Sequence, residues 1–151
     1  MFKKIVVPLD GSACAQEAFD VALALARNES SELAICSIVD PIVIVGTMPP
    51  SPAADLMLAD RETESRHLIE AALQKARAAG IKAEGEMHLG VPFDEILRYA
   101  KRQKADAIVM GTHGRTGLRR LFLGSVAESV LRETTCPVIV VRERVNQAVP
   151  A

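Results

Sequence analysis

Short runs of β-branched apolar residues alternate with longer amphipathic segments along the whole chain, and this alternation constrains the fold more than any other feature. The runs lie at residues 5–9, 33–39, 81–89, 107–110 and 137–141. Between them, apolar residues recur at helical spacing. The order βαβαβαβαβ predicts an α/β protein with a doubly wound five-stranded parallel sheet and helices on both faces.

The amphipathic segments carry signals for the ends of helices. Ser12 can cap a first helix that reaches about residue 27. A long helix is expected over about 54–79, and Ser125 opens the last helix. Residues 40–55 are rich in proline, and the sequence predicts no conformation for them.

Composition narrows the possible functions. A chain of 151 residues suits one domain, 1–151, and its net charge of −1 gives no reason to expect a nucleic-acid partner. No apolar run approaches the roughly 20 residues of a membrane span. The three widely separated cysteines are typical of reduced thiols, so we expect a cytoplasmic protein.

A glycine-rich segment follows the fourth apolar run. It contains Gly111 and Gly114, and Gly124 and Ser125 follow at the start of the last helix. Glycine lets a backbone approach a ligand closely, and a helix N-terminus offers free N–H groups with partial positive charge. Together they can form an anion site of phosphate size. The arginines at 115, 119 and 120 in the intervening loop would raise the local positive potential.

An interpretation without a ligand is equally open at this point. Ser125 and Glu128 match a capping box, which stabilises a helix start by itself. Three arginines in a loop commonly form a solvated surface. The P-loop, the dinucleotide G-x-G-x-x-G after the first strand and the G-x-S-x-G elbow are all absent from the sequence.

The spacing Gly111-x2-Gly114-x9-Gly124-Ser125 resembles the ATP-binding motif of the universal stress protein family. The opening IVVPLDGS at 5–12 is similar to that family's first strand and turn. The segments at 90–92, 105–111 and 136–141 resemble its other motifs. The resemblance covers nearly the whole chain and is weakest at about 40–55.

The resemblance implies a strand order of 3-2-1-4-5 and a homodimer formed through the fifth strand. In that order the first and fourth strands are neighbours. Asp10 and Gly111 then face each other where the winding of the sheet reverses, which is where such sheets bind ligands.

The resemblance also implies a role for each residue of an ATP site. Asp10 would accept hydrogen bonds from the ribose hydroxyls, and its alternative role is to cap the first helix alongside Ser12. Mg²⁺ would be carried by the phosphates, because no ligand cluster for a metal site is visible. The remaining residues are Leu9 and Val39 beside adenine, Met110 and Gly111 along the nucleotide, and His113, Gly114, Gly124, Ser125 and Val126 at the phosphates.

Two classes of function fit these features. In the first, the protein is an ATP-binding regulatory module of the stress response, and an unknown regulatory protein partner reads its ATP occupancy. In the second, it is a slow ATPase or an adenylyl- or phosphoryl-transfer enzyme, although no paired general base is evident. A structural dimer with an empty site is a third possibility. We expect valine at Gly114 or Gly124 to abolish ATP binding without loss of the apo fold.

Overall fold

The computed structural model describes residues 1–114 and 123–144. Within these residues, no helix has the length and apolarity needed to cross a bilayer. The elements are β1 (Lys4–Pro8), α1 (Ala13–Glu29), β2 (Glu32–Val39), α2 (Pro41–Val45), α3 (Pro52–Ala78), β3 (Ala83–Leu89), α4 (Pro92–Arg102), β4 (Ala107–Gly111), α5 (Ser125–Glu133) and β5 (Val138–Val141).

The five strands form one sheet in the order β3-β2-β1-β4-β5, and every pairing is parallel. In the centre, Val6 lies opposite Ala34 of β2 on one side and Ile108 of β4 on the other. The chain therefore reverses its direction of winding between β1 and β4. The predicted fold class and strand order are confirmed.

Each face of the sheet carries its own apolar layer. Val7 packs with Phe19 of α1 and Ile69 of α3 on one face. Its neighbour Val6 packs with Tyr99 of α4 on the opposite face, because successive side chains of a strand point to opposite sides. Burial on both faces explains why the central strands are continuous apolar runs.

Residues 40–55 contain a short helix and the start of a longer one. Asp40 caps α2 through its Oδ1, which accepts a hydrogen bond from the backbone N–H of Ile42 at 2.9 Å. Ser51 caps α3 through its Oγ, which accepts from the backbone N–H of Ala54 at 3.2 Å. Polar side chains at these two positions therefore order a segment for which the sequence predicted no conformation.

The Asp106 carboxylate aligns β1 with β4. Its Oδ2 accepts hydrogen bonds from the backbone N–H groups of Lys3 and Lys4, at 2.8 and 2.9 Å. These bonds hold the pKa of Asp106 below its ordinary value. Because the two strands are aligned where they begin, their carboxyl ends are also set side by side.

The three cysteines are free thiols. Cys14 and Cys36 are buried, and Cys136 is half-buried. Burial raises the pKa of the Cys36 thiol, which disfavours the reactive thiolate. The prediction of unpaired thiols is therefore confirmed.

Candidate functional site

Two adjoining cavities open at the carboxyl ends of the strands. The first has a volume of about 430 Å³ and lies where β1 and β4 end. The second, of about 540 Å³, extends past β2 towards α2 and α3. Residues that line both cavities are Asp10, Ile38, Pro92, Ser125 and Val126.

The ten residues predicted to form the site all line one of these cavities. Val39 lines only the second. The other nine line the first, namely Leu9, Asp10, Met110, Gly111, His113, Gly114, Gly124, Ser125 and Val126. Their predicted contacts with a nucleotide stay predictions, whereas their convergence on one end of the sheet is a feature of the fold.

Helix α5 starts beside the first cavity without a side-chain cap. Gly124 occupies the N-cap position and Ser125 is the first helical residue. The Glu128 carboxylate pairs with Arg132 at 3.0 Å, one turn further along the helix. The capping box that the sequence allowed is thus not formed, and the first turn leaves N–H groups and partial positive charge beside the cavity.

Asp10 lies between the two cavities and also holds the turn after β1. Its Oδ1 accepts a hydrogen bond from the backbone N–H of Ser12 at 2.9 Å. Ser12 is itself the cap of α1, because its Oγ accepts from the N–H of Ala15 at 3.1 Å. Asp10 therefore helps to hold the start of α1, which is part of the alternative capping role. Its other carboxylate oxygen, Oδ2, lies on the side of Gly114.

Gly114 lies beside the Asp10 carboxylate in the lining of the first cavity. A Cβ at Gly114 would lie 2.8 Å from Asp10 Oδ2, the only atom of the described residues within 4 Å. A larger side chain here would therefore occupy the cavity and displace the carboxylate.

Gly111 and Gly124 are needed for contacts within the protein. A Cβ at Gly111 would lie 2.7 Å from the Cβ of Cys14 on α1. A Cβ at Gly124 would lie 2.8 Å from the carbonyl oxygen of Thr112, which already accepts the Gly124 N–H at 2.7 Å. Neither glycine has a positive φ. The expectation that the apo fold persists with valine at Gly124 is therefore wrong, because the side chain would strike backbone.

His113 belongs to a polar pair that sequence reasoning missed. Its Nδ1 lies 2.9 Å from the hydroxyl of Thr112, a residue only 6% exposed. Its Nε2 is buried and has no hydrogen-bond partner within residues 1–114 and 123–144. A polar residue directly after the buried strand β4 was the available signal for Thr112.

The residues predicted to flank a base offer mostly apolar surface. The Leu9 N–H already donates to the carbonyl of Cys36 at 2.8 Å, so it has no hydrogen left for a ligand. The Val39 carbonyl accepts from Gly90 at 3.0 Å but keeps a second lone pair. Ser65 of α3, which the sequence did not single out, lines the second cavity with a buried, unpartnered Oγ.

The other residues considered as candidates contribute less to the site than those that line the two cavities. In residues 1–114 and 123–144, no group of three His, Cys, Asp or Glu residues could hold a metal ion. His67 is exposed on α3, and His88 lies 3.2 Å from Glu86. The arginines at 115, 119 and 120, predicted to raise the potential near the phosphates, lie outside the described residues.

The strand order and the position of these cavities define a doubly wound α/β protein with a ligand site at the reversal point of its sheet. The model of the universal stress protein family matches residues 1–142. The chain is also 39% identical over 143 residues to universal stress protein MJ0531 of Methanocaldococcus jannaschii, covering 95% of this chain and 84% of that protein. The chain belongs to the universal stress protein family.

Further relatives agree with this assignment. Universal stress protein YxiE of Bacillus subtilis is 34% identical, with 94% of this chain and 100% of that protein covered. The solved structure of MJ0577 has a TM-score of 0.83 at 28% identity, covering 96% of this chain and 99% of that one. A universal stress protein solved in complex with cAMP has a TM-score of 0.70 at 26% identity, covering 95% and 98%.

Proposed function

We propose that this protein binds ATP across the two cavities and acts as a nucleotide-dependent regulatory module. The observation that carries the proposal is the uncapped start of α5 beside the first cavity, which His113 with its orphaned Nε2 also lines. A helix N-terminus and a polar ring nitrogen are both suited to anionic oxygens. The phosphates would supply the negative charge that the partial positive charge of the helix N-terminus favours.

The same residues assign an orientation to the nucleotide. The N–H groups of Ser125 and Val126 would hold phosphate oxygens, with Mg²⁺ carried by the phosphates. The predicted contact of the Gly124 N–H is corrected, because that group already donates to the Thr112 carbonyl at 2.7 Å. Asp10, which lines both cavities, would accept hydrogen bonds from the ribose hydroxyls. The base would then lie in the second cavity against Val39.

A relative supports an adenine nucleotide over other anions. The universal stress protein solved with cAMP shares 26% identity with this chain over nearly its full length. The ligand of that protein shares adenine and a ribose ring with ATP, and it carries a single cyclic phosphate in place of the triphosphate. Asp10 and the α5 N-terminus offer partners for the ribose and phosphate groups.

The proposed regulatory role rests on what ATP would connect. A nucleotide spanning β1, β4 and α5 would favour the arrangement in which all three elements contact it. We propose that a cytoplasmic partner protein, of unknown identity, reads this difference. Mass spectrometry of small molecules released by denaturing the purified protein tests the ligand, with ATP as the expected species.

A companion assay separates the regulatory module from an enzyme. Purified protein incubated with ATP and Mg²⁺ is expected to leave ATP largely intact over hours. Steady formation of ADP, or transfer of an adenylyl or phosphoryl group, would instead assign the protein to the enzyme class.

The proposed site should distinguish ATP from GTP. The second cavity would meet a base at the Val39 carbonyl, whose free lone pair suits the amino group of adenine. Arg61, which also lines this cavity, donates to the Glu64 carboxylate at 3.1 Å. Guanine has a carbonyl at the corresponding position and would face the Val39 oxygen unfavourably. We expect calorimetry to give at least about tenfold weaker binding of GTP. Equal affinities would contradict the assignment of the base to this cavity.

We also propose that the protein forms a homodimer through β5, which is an edge strand of the sheet. The carbonyls of Pro137 and Val141 accept hydrogen bonds from Ile108 of β4 and from Thr112, which follows β4, both at 2.9 Å. Backbone groups alternate along a strand, so those of Val138 and Val140 point outward from the edge. An apolar edge with unpaired backbone groups favours pairing with a second copy.

Proline at position 140 should weaken this dimer without harm to the β4–β5 pairing. Val140→Pro removes an outward N–H, whereas the inward bonds stay intact. We expect light scattering at micromolar concentration to show a dimer for the wild type and mostly monomer for the variant. Leu56→Lys, at an exposed position of α3, is the matched control and should stay dimeric. A monomeric wild type, or a Val140→Pro dimer as tight as wild type, would refute pairing through β5.

A further inference from the structure

We propose that the Cys14 thiol and the Thr112 hydroxyl form a hydrogen-bond chain that keeps the proton of His113 on Nε2, so that this atom can donate to an anionic ligand. The proposal rests on the proposed function, because the ligand it serves is the phosphate chain of ATP. Thr112 and Cys14 would be positioning residues, since they act through His113 and not on the nucleotide.

The three side chains lie in line between α1 and the end of β4. The Sγ atom of Cys14 lies 3.7 Å from the Oγ1 atom of Thr112, and that oxygen lies 2.9 Å from Nδ1 of His113. Cys14 is 8% exposed and Thr112 is 6% exposed. Water therefore has little access to this chain, and the three groups must satisfy one another.

Only one direction of hydrogen-bond donation along these three side chains gives each group a suitable partner. The hydroxyl of Thr112 has a single hydrogen, which can go to Nδ1 of His113 or to the sulfur of Cys14. Sulfur is a weak acceptor, whereas a neutral imidazole nitrogen is a strong one. The hydroxyl therefore donates to Nδ1 and accepts from the thiol of Cys14. A neutral ring that accepts at Nδ1 carries its proton on Nε2.

The unpartnered ring nitrogen of His113 is where a ligand would act. Nε2 is buried and has no partner among the described residues, and either a donor or an acceptor left unsatisfied there is costly in the empty protein. His113 lines the first cavity together with Ser125 at the start of α5. A phosphate oxygen held there would accept from Nε2–H, whereas an Nε2 lone pair would repel it. The chain thus prepares His113 for an anion before the ligand arrives.

Nitrogen-15 NMR of the nucleotide-free protein tests the tautomer directly. The two ring nitrogens differ in chemical shift according to which one carries the proton, and a His113→Gln variant assigns the signals. We expect a protonated Nε2 and an unprotonated Nδ1 at neutral pH. A proton on Nδ1, on both nitrogens, or exchanging equally between them would overturn the proposal. Because no ATP is present, this result is independent of whether the protein binds ATP.

Substitutions then test the role of the chain. Thr112→Val removes the hydroxyl with little change of shape, so we expect a mixture of tautomers and about tenfold weaker ATP binding. Thr112→Ser restores the hydroxyl and should restore both. Cys14→Ala removes the weaker donor and should give a smaller change in the same direction. A single Nε2–H tautomer in a folded Thr112→Val protein would show that the hydroxyl does not set it.

Discussion

Replacing Gly114 with valine is expected to weaken ATP binding by at least about 100-fold, or about 2.7 kcal/mol, while the fold is retained. The reason is that, in the part of the chain that the structure describes, a Cβ at this position meets no backbone atom within 4 Å. Its Cβ would lie 2.8 Å from Asp10 Oδ2 and otherwise enter the first cavity. Titration calorimetry gives the affinity, and circular dichroism with thermal melting gives the control for folding.

Alanine at the same position provides a graded comparison. Gly114→Ala adds one methyl group, which the flexible Asp10 side chain can partly avoid, so we expect about a tenfold loss. A Gly114→Val protein that is folded and binds ATP as tightly as wild type would rule out the phosphate site beside Asp10.

Replacing Gly111 with valine is expected to destabilise the protein itself by about 3–5 kcal/mol. A Cβ at this position would lie 2.7 Å from Cys14 Cβ, 2.8 Å from the Cys14 carbonyl carbon and 3.0 Å from the Ala15 backbone nitrogen. Helix α1 would have to move away from β4. We expect the melting temperature to fall by about 10–15 °C.

The Gly111→Val and Gly114→Val variants serve as matched controls for each other. The same change, three residues apart, should act on stability at Gly111 and on binding at Gly114. A Gly111→Val protein that melts within about 2 °C of wild type would show that the close approach of α1 to β4 is not required.

The order of helices and strands could be predicted from the sequence, because the burial of an element leaves a local pattern of apolar residues. Central strands covered on both faces appear as unbroken apolar runs, and Val6 and Val7 belong to such a run. The order of the strands in the sheet depends on long-range pairing, so the periodicity of apolar residues alone could not predict it. It followed only from the resemblance to a family, and the pairing of β1 with β4 confirms it.

Local patterns failed where a distant contact decides the conformation. The S-x-x-E pattern at Ser125 allowed a capping box as one of two interpretations, but helix α5 begins one residue earlier than that motif requires. The Gly124 N–H is held by the Thr112 carbonyl at 2.7 Å, and this tertiary bond sets the start of the helix. Such a bond joins residues 12 positions apart, beyond the reach of a capping motif.

The sequence predicted some residues of the candidate site and missed others, depending on whether a local pattern marked them. Motif residues such as Asp10 and His113 were visible because their types and spacing are distinctive. Thr112 and Ser65 were not, because their importance comes from burial next to a cavity and not from any local pattern. The roles of Gly111 and Gly124 in backbone packing were also invisible without the neighbouring chain.

The central claim is that the cavities at the carboxyl ends of β1 and β4 bind ATP. Titration calorimetry of nucleotide-free protein with ATP and Mg²⁺ tests it most directly, with Gly114→Val and Leu56→Lys as paired variants. We predict one ATP bound per chain in the wild type and in Leu56→Lys, and binding reduced at least about 100-fold in Gly114→Val. Folded wild-type protein that binds no ATP, or a Gly114→Val variant that binds as wild type does, would contradict the account.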